Sequence, residues 1–405
     1  MAAVESLPML LRWGRHVPGF LGVMFATVLV AAAAGPARPL RIGLLLPPTE
    51  TEAASIRRGA QLGADAASRE TGRTVELVVR GKPGQWGTDG DEAVALALDE
   101  DVDALVAPTG GAVVHQALQV AGRTRVPVVS LSADTSVTRA GIPWTVRLGP
   151  RTDEEAAAVF AALRRRPSGQ SPLRVVAFVP TDRAGREATN DLRSAARAAN
   201  VEWVDGFALP VGTTPGADLV SRALAAKPDL ILVWLDAAAV VGVAKSMRDA
   251  GYTGAMAAPC RSWSPAVLRA QATSTAGILF PLPLALTETN AGRERFLRDF
   301  AQAPPVPAAT RAPPIANPEP SGLVAGLAFD AVRLLADLLN RADGRPAFRE
   351  FPLTRSLPGV TGELAFDRAG NQRLPLQVVV FRADGGFRIP RPEEVGGNAV
   401  PRPWD

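Results

Sequence analysis

Few residues in this sequence have the types and spacing that catalysis requires. After residue 34 there is one histidine, His115, inside a predicted helix that follows APTGGA, and one cysteine, Cys260. A Ser-His-Asp triad would use His115 as its base, but the sequence contains no G-x-S-x-G elbow. One His and one Cys cannot supply the four ligands of a structural zinc. We therefore predict no catalytic residue, no metal site and no cofactor.

The histidine leaves one enzymatic alternative open, a hydrolase that uses His115. A lone histidine in a helix more often packs or forms a hydrogen bond. No phosphate-binding P-loop occurs, and the glycines around GGAVV lack the spacing of a dinucleotide fingerprint. Nucleotide and redox chemistry thus lack their usual sequence support, and the single Cys260 excludes an internal disulfide.

Small polar residues follow two apolar runs, where two predicted strands end. These stretches are APTGGA at 107–112 and SLSADTSVT at 130–138. Ligands of open α/β sheets bind outside the carboxyl ends of the strands. Gly110 and Gly111, which follow Thr109, let the backbone approach a ligand at the start of the next helix, whose free N–H groups favour an anion.

Three side chains of the second stretch are candidates to hold polar groups of the same ligand. They are Ser132, Asp134 and Thr135. These residue types are also preferred as helix N-caps, so a capping role is an equal alternative for each of them. Both roles are compatible with the same backbone amides.

The elements that must position these residues alternate between apolar runs and amphipathic stretches. Strands are predicted at 40–47, 74–80, 103–108 and 126–130, and helices at 53–68, 91–98 and 112–122. Continuous apolar strands between helices are typical of a parallel sheet covered on both faces. The pattern predicts a doubly wound α/β domain.

A second series of the same plan follows PWTVRLGP. Its first helix starts at Asp153 and carries acids first and bases last, as the helix dipole favours. Strands are predicted at 174–180, 201–207, 229–235 and 276–283, and helices at 186–199, 217–226 and 238–250. Residues 303–320 are too rich in proline for a helix, 321–342 form a long buried helix, and 361–388 form a hairpin with glycine turns.

Composition and charge narrow the class of protein. The 405 residues are 47% hydrophobic with a formal net charge of +4, which suits two or three globular domains. A nucleic-acid binder would gather its cations into a patch with interleaved aromatics. The one tight cluster, Arg164–Arg166, ends a predicted helix, where cations suit the dipole. No nucleic-acid partner is predicted.

The first residues have the zones of an export signal. Arg12, Arg15 and His16 precede an uncharged stretch, Val17–Ala34, that ends in small residues. Residues 1–34 are therefore predicted to be a secretory signal peptide. The uncharged stretch is also long enough for an uncleaved membrane anchor, so tethering is an alternative.

Taken in order, these stretches resemble one family. The succession VDALVAPTGGAVVHQAL, VPVVSLSADTSVT, PWTVRLGPRTDEEA, KPDLILVWLDAAAVVGVAKSMRDAGY and GVTGELAFDRAGN is similar to the leucine-binding-protein-like family, the type I periplasmic solute-binding components of ABC importers. The resemblance spans nearly the whole chain after the signal. It implies two Rossmann-like lobes joined by three crossovers, a Venus-flytrap with the ligand in the cleft.

The resemblance also implies domain limits, partners and location. Lobe 1 would hold 38–150 and 286–357, including the proline-rich insertion; lobe 2 would hold 151–285 and 358–392, and 393–405 would be a tail. The chain would be a periplasmic monomer that delivers a small polar ligand, an amino acid or related carboxylate, to the membrane subunits of an ABC permease. A ligand sensor or scaffold on the same fold, without a transport role, is the alternative.

In the first lobe, the residues of this chain depart from the family pattern. The loop where the family offers a Ser to the ligand carboxylate has Gly111. The stretch where the family uses an Ala carbonyl and a Thr matches Ser132, Ala133 and Asp134, so an acid stands at the Thr position.

The second lobe departs further. The family's Tyr in D-x-x-Y-G corresponds to Ala184, and a second family aromatic falls near Asp236. The acid that receives the ligand ammonium is replaced by Cys260 or Arg261. Three tryptophans, which form either an apolar wall of the cleft or part of the core, are Trp86, Trp144 and Trp263.

These replacements change the expected ligand chemistry. A buried ammonium needs a counter-ion, because an unpaired buried charge is costly. Asp134 or Asp236 could supply that counter-ion from a new direction. Alternatively, Arg261 could bind a second carboxylate in bidentate fashion, which would suit a ligand without an amine. Specificity for branched-chain amino acids is therefore not expected.

Overall fold

A computed structural model describes residues 38–47, 50–81, 89–163, 172–303, 322–341 and 356–390. The predicted signal peptide 1–34, the predicted tail 393–405, Arg164–Arg166 and Trp86 lie outside these residues, as does the proline-rich stretch apart from Ala303. None of the described helices combines the length and the apolar character needed to cross a membrane.

Five parallel strands form the first sheet, in the order β2-β1-β3-β4-β5. They are β1 (Leu40–Leu45), β2 (Val75–Arg80), β3 (Ala104–Ala107), β4 (Val128–Ser130) and β5 (Thr145–Arg147). The strand order reverses at β1. The loop after β3, which carries Thr109, therefore opens toward the crevice in which such sheets bind ligands.

Seven strands form the second sheet, in the order β12-β11-β10-β9-β8-β6-β7. They are β6 (Arg174–Pro180), β7 (Glu202–Leu209), β8 (Leu230–Val233), β9 (Ala255–Ala257), β10 (Leu279–Pro283), β11 (Leu376–Phe381) and β12 (Phe387–Arg388). Strands β6 to β10 are parallel, and β11 runs antiparallel to both β10 and β12.

Helices connect and cover the strands. They are α1 (Glu50–Thr71), α2 (Asp89–Val94), α3 (Gly111–Thr124), α4 (Ser136–Arg139), α5 (Thr152–Leu163), α6 (Arg183–Ala198), α7 (Ala217–Ala225), α8 (Ala237–Asp249), α9 (Pro265–Arg269), α10 (Ala272–Thr275), α11 (Ala291–Gln302) and α12 (Gly322–Leu339). We call the first sheet with α1 to α4, α11 and α12 the first lobe, and the second sheet with α5 to α10 the second lobe. The predicted two-lobe α/β fold is confirmed.

Two details of the predicted secondary structure need correction. The strands β5 and β9 and the helices α4, α9, α10 and α11 were not predicted from the sequence. The predicted hairpin at 361–388 holds only in its second part, where β11 and β12 pair; the segment before β11 forms isolated bridges such as Phe366 with Gln372. The predicted limits of the two lobes stay a prediction.

The long helices α1 and α12 lie in close contact on the first lobe. A Cβ atom at Gly59 would lie 2.1 Å from the carbonyl oxygen of Ala325, and one at Gly63 would lie 2.6 Å from that of Phe329. Any side chain at these two positions would force the helices apart. The two glycines are therefore required for the approach that joins α12, which comes late in the chain, to the first strands.

Three connections join the lobes: β5 to α5, β10 to α11, and the segment that follows α12 and leads to β11. Arg147, at the end of β5, is fully buried where the first and third of these connections touch. Its Nε donates to Asn371 Oδ1 at 3.1 Å, and its Nη1 donates to the carbonyl oxygen of Gly149 at 3.0 Å. Backbone bonds from Arg147 N–H to Gly370 and from Gln372 N–H to Arg147 complete the junction.

Asp330 fixes the third connection to α12. Its carboxylate is fully buried and accepts hydrogen bonds from Val360 N–H (2.9 Å), Thr361 N–H (2.9 Å) and the Thr361 hydroxyl (2.7 Å). Burial raises the pKa of Asp330 to about 6, although these bonds favour the ionised form. Three donors of one turn thus depend on a single side chain.

We expect Asp330→Ala to lower the free energy of unfolding by about 3 kcal/mol, because it leaves buried N–H groups without acceptors. Urea titration measures the loss. The matched control is Asp337→Ala on the same helix, whose partly exposed carboxylate pairs with Arg341 four residues on; its loss should be about 0.5 kcal/mol or less. Equal losses in the two variants would contradict the anchoring role.

Candidate functional site

A small cavity lies between the lobes, beside the first connection. Its volume is about 20 Å³, close to the space of one water molecule. The residues that line it are Thr109, Leu131, Ala133, Leu148, Gly149, Pro150, Leu323, Val324 and Leu327 of the first lobe and its connection, and Glu155, Cys260 and Arg261 of the second lobe. Both lobes thus enclose one mostly aliphatic space with a few polar groups.

Three residues of the predicted ligand set meet at this cavity: Thr109, Ala133 and Arg261. The Thr109 hydroxyl donates to Glu52 Oε1 at 2.5 Å. Arg261 is half-buried on the 3-10 turn Cys260–Ser262. Its side chain has no ion-pair or hydrogen-bond partner among the described residues, so its donors are available to another group.

Glu155 adds a carboxyl group that the sequence-predicted set lacked. It is 1% exposed, and its Oε1 accepts a hydrogen bond from Cys260 N–H at 2.6 Å. Burial raises the pKa of Glu155 from 4.5 to about 7, against the opposing effects of the Cys260 bonds and the Arg261 charge. Near neutral pH this carboxyl group is therefore poised to gain or lose a proton.

The sequence does carry a signal for Glu155. The buried residues of α5 recur at helical spacing and are Thr152, Glu155, Ala156, Val159 and Phe160. Its neighbours Asp153 and Glu154 lie off this face and bond to Arg151. A carboxylate on the buried face of a helix requires a partner, and this distinguishes it from acids that only complement the helix dipole.

A second group of polar side chains joins the loop after β4 to α6 of the other lobe. We call it the interlobe cluster; it consists of Asp134, Thr135, Ser136, Arg139, Arg183 and Asp191. Asp134 Oδ1 accepts from the Ser136 N–H (2.8 Å) and hydroxyl (2.6 Å), and its Oδ2 accepts from Arg183 Nη1 at 3.2 Å. The Asp134 carboxylate therefore bonds to the other lobe through Arg183 and also stabilises its own turn through Ser136.

In the second half of the interlobe cluster, the second lobe supplies the acid and the first lobe supplies its partners. Asp191, on α6, accepts from the Thr135 hydroxyl at 3.0 Å and lies 3.7 Å from Arg139 Nη2. Burial raises the pKa of Asp191 to about 6, although the Thr135 bond favours the ionised form. Thr135 thus holds a group of the protein itself at a point where the sequence predicted a ligand contact.

Gly111 makes room for Asp134. A Cβ atom at position 111 would lie 2.2 Å from Asp134 Oδ2. From the sequence, a ligand anion is expected at the start of α3, which follows the exposed N-cap Gly110. The structure brings the carboxylate of Asp134 close to this helix end.

The arrangement around His115 differs from a catalytic triad. His115 Nε2 lies 2.8 Å from Ser136 Oγ, but the acid Asp134 bonds to the serine and not to the histidine. Because the Ser136 hydroxyl donates to Asp134, it has no proton left to give to His115. Burial lowers the pKa of His115. The geometry therefore gives no support to the hydrolase alternative.

The remaining predicted residues lie apart from the cavity. The Ser132 side chain is buried and accepts from Asp134 N–H at 3.2 Å, so it supports the turn. Asp236 is exposed and caps α8 through Ala239 N–H at 2.9 Å. Ala184 is exposed in the first turn of α6. The ligand role of the predicted residues stays a prediction.

The two described tryptophans of the predicted set do not line the cavity. The Trp263 ring packs edge-on against Phe280, Phe381 and Phe387, with ring centroids 5.1 to 6.0 Å away. Trp144 is half-buried beside β4 and accepts Val128 N–H through its carbonyl. Within the described ranges, no three His, Cys, Asp or Glu side chains gather in a way that could hold a metal ion.

Two lobes with a shared cavity between them define the architecture of a bilobal binding protein. The sequence model described as Periplasmic binding protein matches residues 39–387, which is most of the chain. The chain belongs to this family. Among curated proteins, none matches the sequence.

Solved structures of the same architecture include proteins with different ligands. The leucine-binding protein LivK of Thermotoga maritima superposes with a TM-score of 0.69 at 18% identity, over 87% of this chain and 98% of that one. LivJ of Streptococcus pneumoniae, in complex with isoleucine, gives 0.68 at 17% identity over 87% and 98%. A solute-binding protein of R. palustris, in complex with benzoate, gives 0.69 at 18% identity over 87% and 95%. These similarities confirm the fold.

The raised pKa of Glu155 makes the stability of the protein depend on pH. An acid whose pKa is higher in the folded state contributes stability that is complete below pH 4.5 and is lost as pH rises through 7. Glu155→Gln cannot ionise. Between pH 4 and pH 8 we expect the wild type to lose about 3 kcal/mol relative to this variant, measured by guanidinium unfolding at each pH.

The control for this measurement is Glu154→Gln, one residue earlier on the more exposed side of α5. It should keep the wild-type pH dependence. If the stability curves of the wild type and Glu155→Gln run parallel over this pH range, the pKa of Glu155 is not raised. That result would contradict the effect of burial on its carboxyl group.

Proposed function

We propose that this chain is a periplasmic solute-binding protein of an ABC importer that binds a small polar ligand, an amino acid or related carboxylate, between its lobes. The observation that carries the proposal is the shared cavity, where the buried Glu155 and Arg261 of one lobe face Thr109 and Ala133 of the other. A site divided between two lobes couples ligand binding to their closure.

The lining of the cavity suits a ligand with a carboxylate and an apolar body. The guanidinium of Arg261 can bind a carboxylate through two parallel hydrogen bonds. Five aliphatic side chains of the first lobe and its connection offer an apolar wall: Leu131, Leu148, Leu323, Val324 and Leu327. Glu155 can accept from a ligand ammonium when ionised, or donate to a ligand oxygen when protonated.

Closure of the lobes has to be reversible for such a ligand to enter. An amino acid needs more room than the 20 Å³ of the cavity, so the lobes would separate about the three connections and close again on the ligand. Structural neighbours bind isoleucine or benzoate, which supports a carboxylate as the common feature.

The proposal includes location and partners. Residues 1–34 would direct export, with an uncleaved membrane tether as the alternative, and the closed monomer would be recognised by the membrane subunits of a permease. Native mass spectrometry of the purified protein would identify small molecules that co-purify with it. Calorimetry would then compare the standard amino acids, benzoate and 4-hydroxybenzoate. Folded protein that binds none of them and co-purifies with nothing would contradict solute binding of this class.

Arg261→Ala tests the assignment of the carboxylate partner. For the tightest carboxylate found by calorimetry, we expect affinity to fall about 10- to 100-fold, because a charge-assisted hydrogen bond is lost. Arg269→Ala, on the exposed side of α9 and away from the cavity, is the matched control and should bind as the wild type does. Unchanged affinity in Arg261→Ala would place the carboxylate elsewhere.

A further inference from the structure

The interlobe cluster joins the lobes with side chains of the protein alone. Asp134 of the first lobe is held by Arg183 of the second, and Asp191 of the second lobe is held by Thr135 and Arg139 of the first. Arg183 Nη2 also donates to the Ser136 hydroxyl at 3.3 Å. Because each lobe supplies one acid and its partner lies on the other lobe, separation of the lobes breaks both halves together.

The acids of these contacts are more buried than those of ordinary surface ion pairs. The side chains of Asp134 and Asp191 are only 9% and 10% exposed, whereas Arg183 and Arg139 reach the solvent with 36% and 64%. The attraction between an acid and its cationic partner is stronger at low dielectric than in water, and the desolvation of the acid opposes it. Opening would leave both acids to be hydrated without their cross-lobe donors.

The local sequence is matched to this arrangement. The Ser136 N–H and hydroxyl hold Asp134 Oδ1, which leaves Oδ2 directed at Arg183. Gly111 provides the space that the carboxylate occupies. Ser136 and Gly111 thus position the Asp134 carboxylate toward Arg183 of the opposite lobe.

We infer that the interlobe cluster is a latch that holds the two lobes closed without a ligand, so that opening of the latch limits access to the cavity. The closed form is then the major state of the ligand-free protein, and a ligand binds the minor open state. This inference goes beyond the proposed function, because it concerns the equilibrium of the lobes whatever the cavity binds.

The test measures a distance between the lobes in protein stripped of small molecules by unfolding and refolding. Spin labels at Arg123→Cys on α3 and Arg197→Cys on α6 are both exposed, whereas the native Cys260 is buried. Pulsed electron resonance should show one short distance in the latched protein. Arg183→Ala should add a longer distance and shift the ratio of closed to open molecules by roughly tenfold toward open.

Three further variants separate the latch from general damage. Asp134→Asn keeps an oxygen for the Ser136 N–H but loses the charge, and it should open the protein as Arg183→Ala does. Thr135→Val removes the bond to Asp191 and should also shift the ratio toward open. Arg186→Ala is the control; Arg186 is exposed on α6, the helix that carries Arg183, and this variant should retain the short distance.

The latch is overturned if the labelled protein with Asp134 and Arg183 intact is as open as Arg183→Ala, or if Arg183→Ala and Asp134→Asn stay closed. Far-UV circular dichroism and a cooperative urea transition confirm that each variant is folded. No ligand enters the measurement, so its outcome is independent of whether the calorimetric screen finds one.

Discussion

The buried charge of Arg147 is the constraint on which the two-lobe arrangement depends. Burial lowers the pKa of Arg147 to about 10, so it remains a cation at neutral pH. Its hydrogen-bond partners among the described residues are carbonyl oxygens and the Asn371 side chain, and no carboxylate is among them. A buried cation solvated by dipoles fixes where those dipoles lie.

This constraint extends to the cavity. The carbonyls of Gly149 and Pro150, which accept from Arg147, belong to residues that line the space between the lobes. The cation that joins two of the connections therefore also sets one wall of the candidate site. Under the proposed closure, the lobes would rotate around this fixed point, since breaking it would leave a buried charge without its partners.

The fold could be predicted from the sequence because its signals are local and repeated. Apolar runs separated by amphipathic stretches predicted eight strands, β1 to β4, β6 to β8 and β10, and the long helix α12. The short β9 was missed because three residues, Ala255 to Ala257, give too little pattern. The segment before β11 was taken for a strand, although its backbone is fixed by Asp330 and Arg147, which are distant in sequence.

The candidate site was less predictable, because contacts across the lobes leave no periodic signal. Asp134 and Thr135 have the residue types of ligand contacts, yet their partners Arg183 and Asp191 come some fifty positions later. Asp236 has the same chemistry, and its carboxylate caps a helix. The helix dipole accounted for the acids at the start of α5, Glu155 among them. The position of Glu155 on the buried face of that helix was therefore not used in the prediction. Residue type alone does not distinguish these cases.

The contact between Gly111 and Asp134 has a consequence for the divergence of this sequence. A Cβ at position 111 would lie 2.2 Å from the Asp134 oxygen, so a side chain there is incompatible with the Asp134 carboxylate in its present place. Asp134 can be replaced while Gly111 remains, whereas a side chain at position 111 requires that Asp134 has already changed or that its carboxylate moves. Relatives that carry a side chain at position 111 should therefore lack a carboxylate in this place.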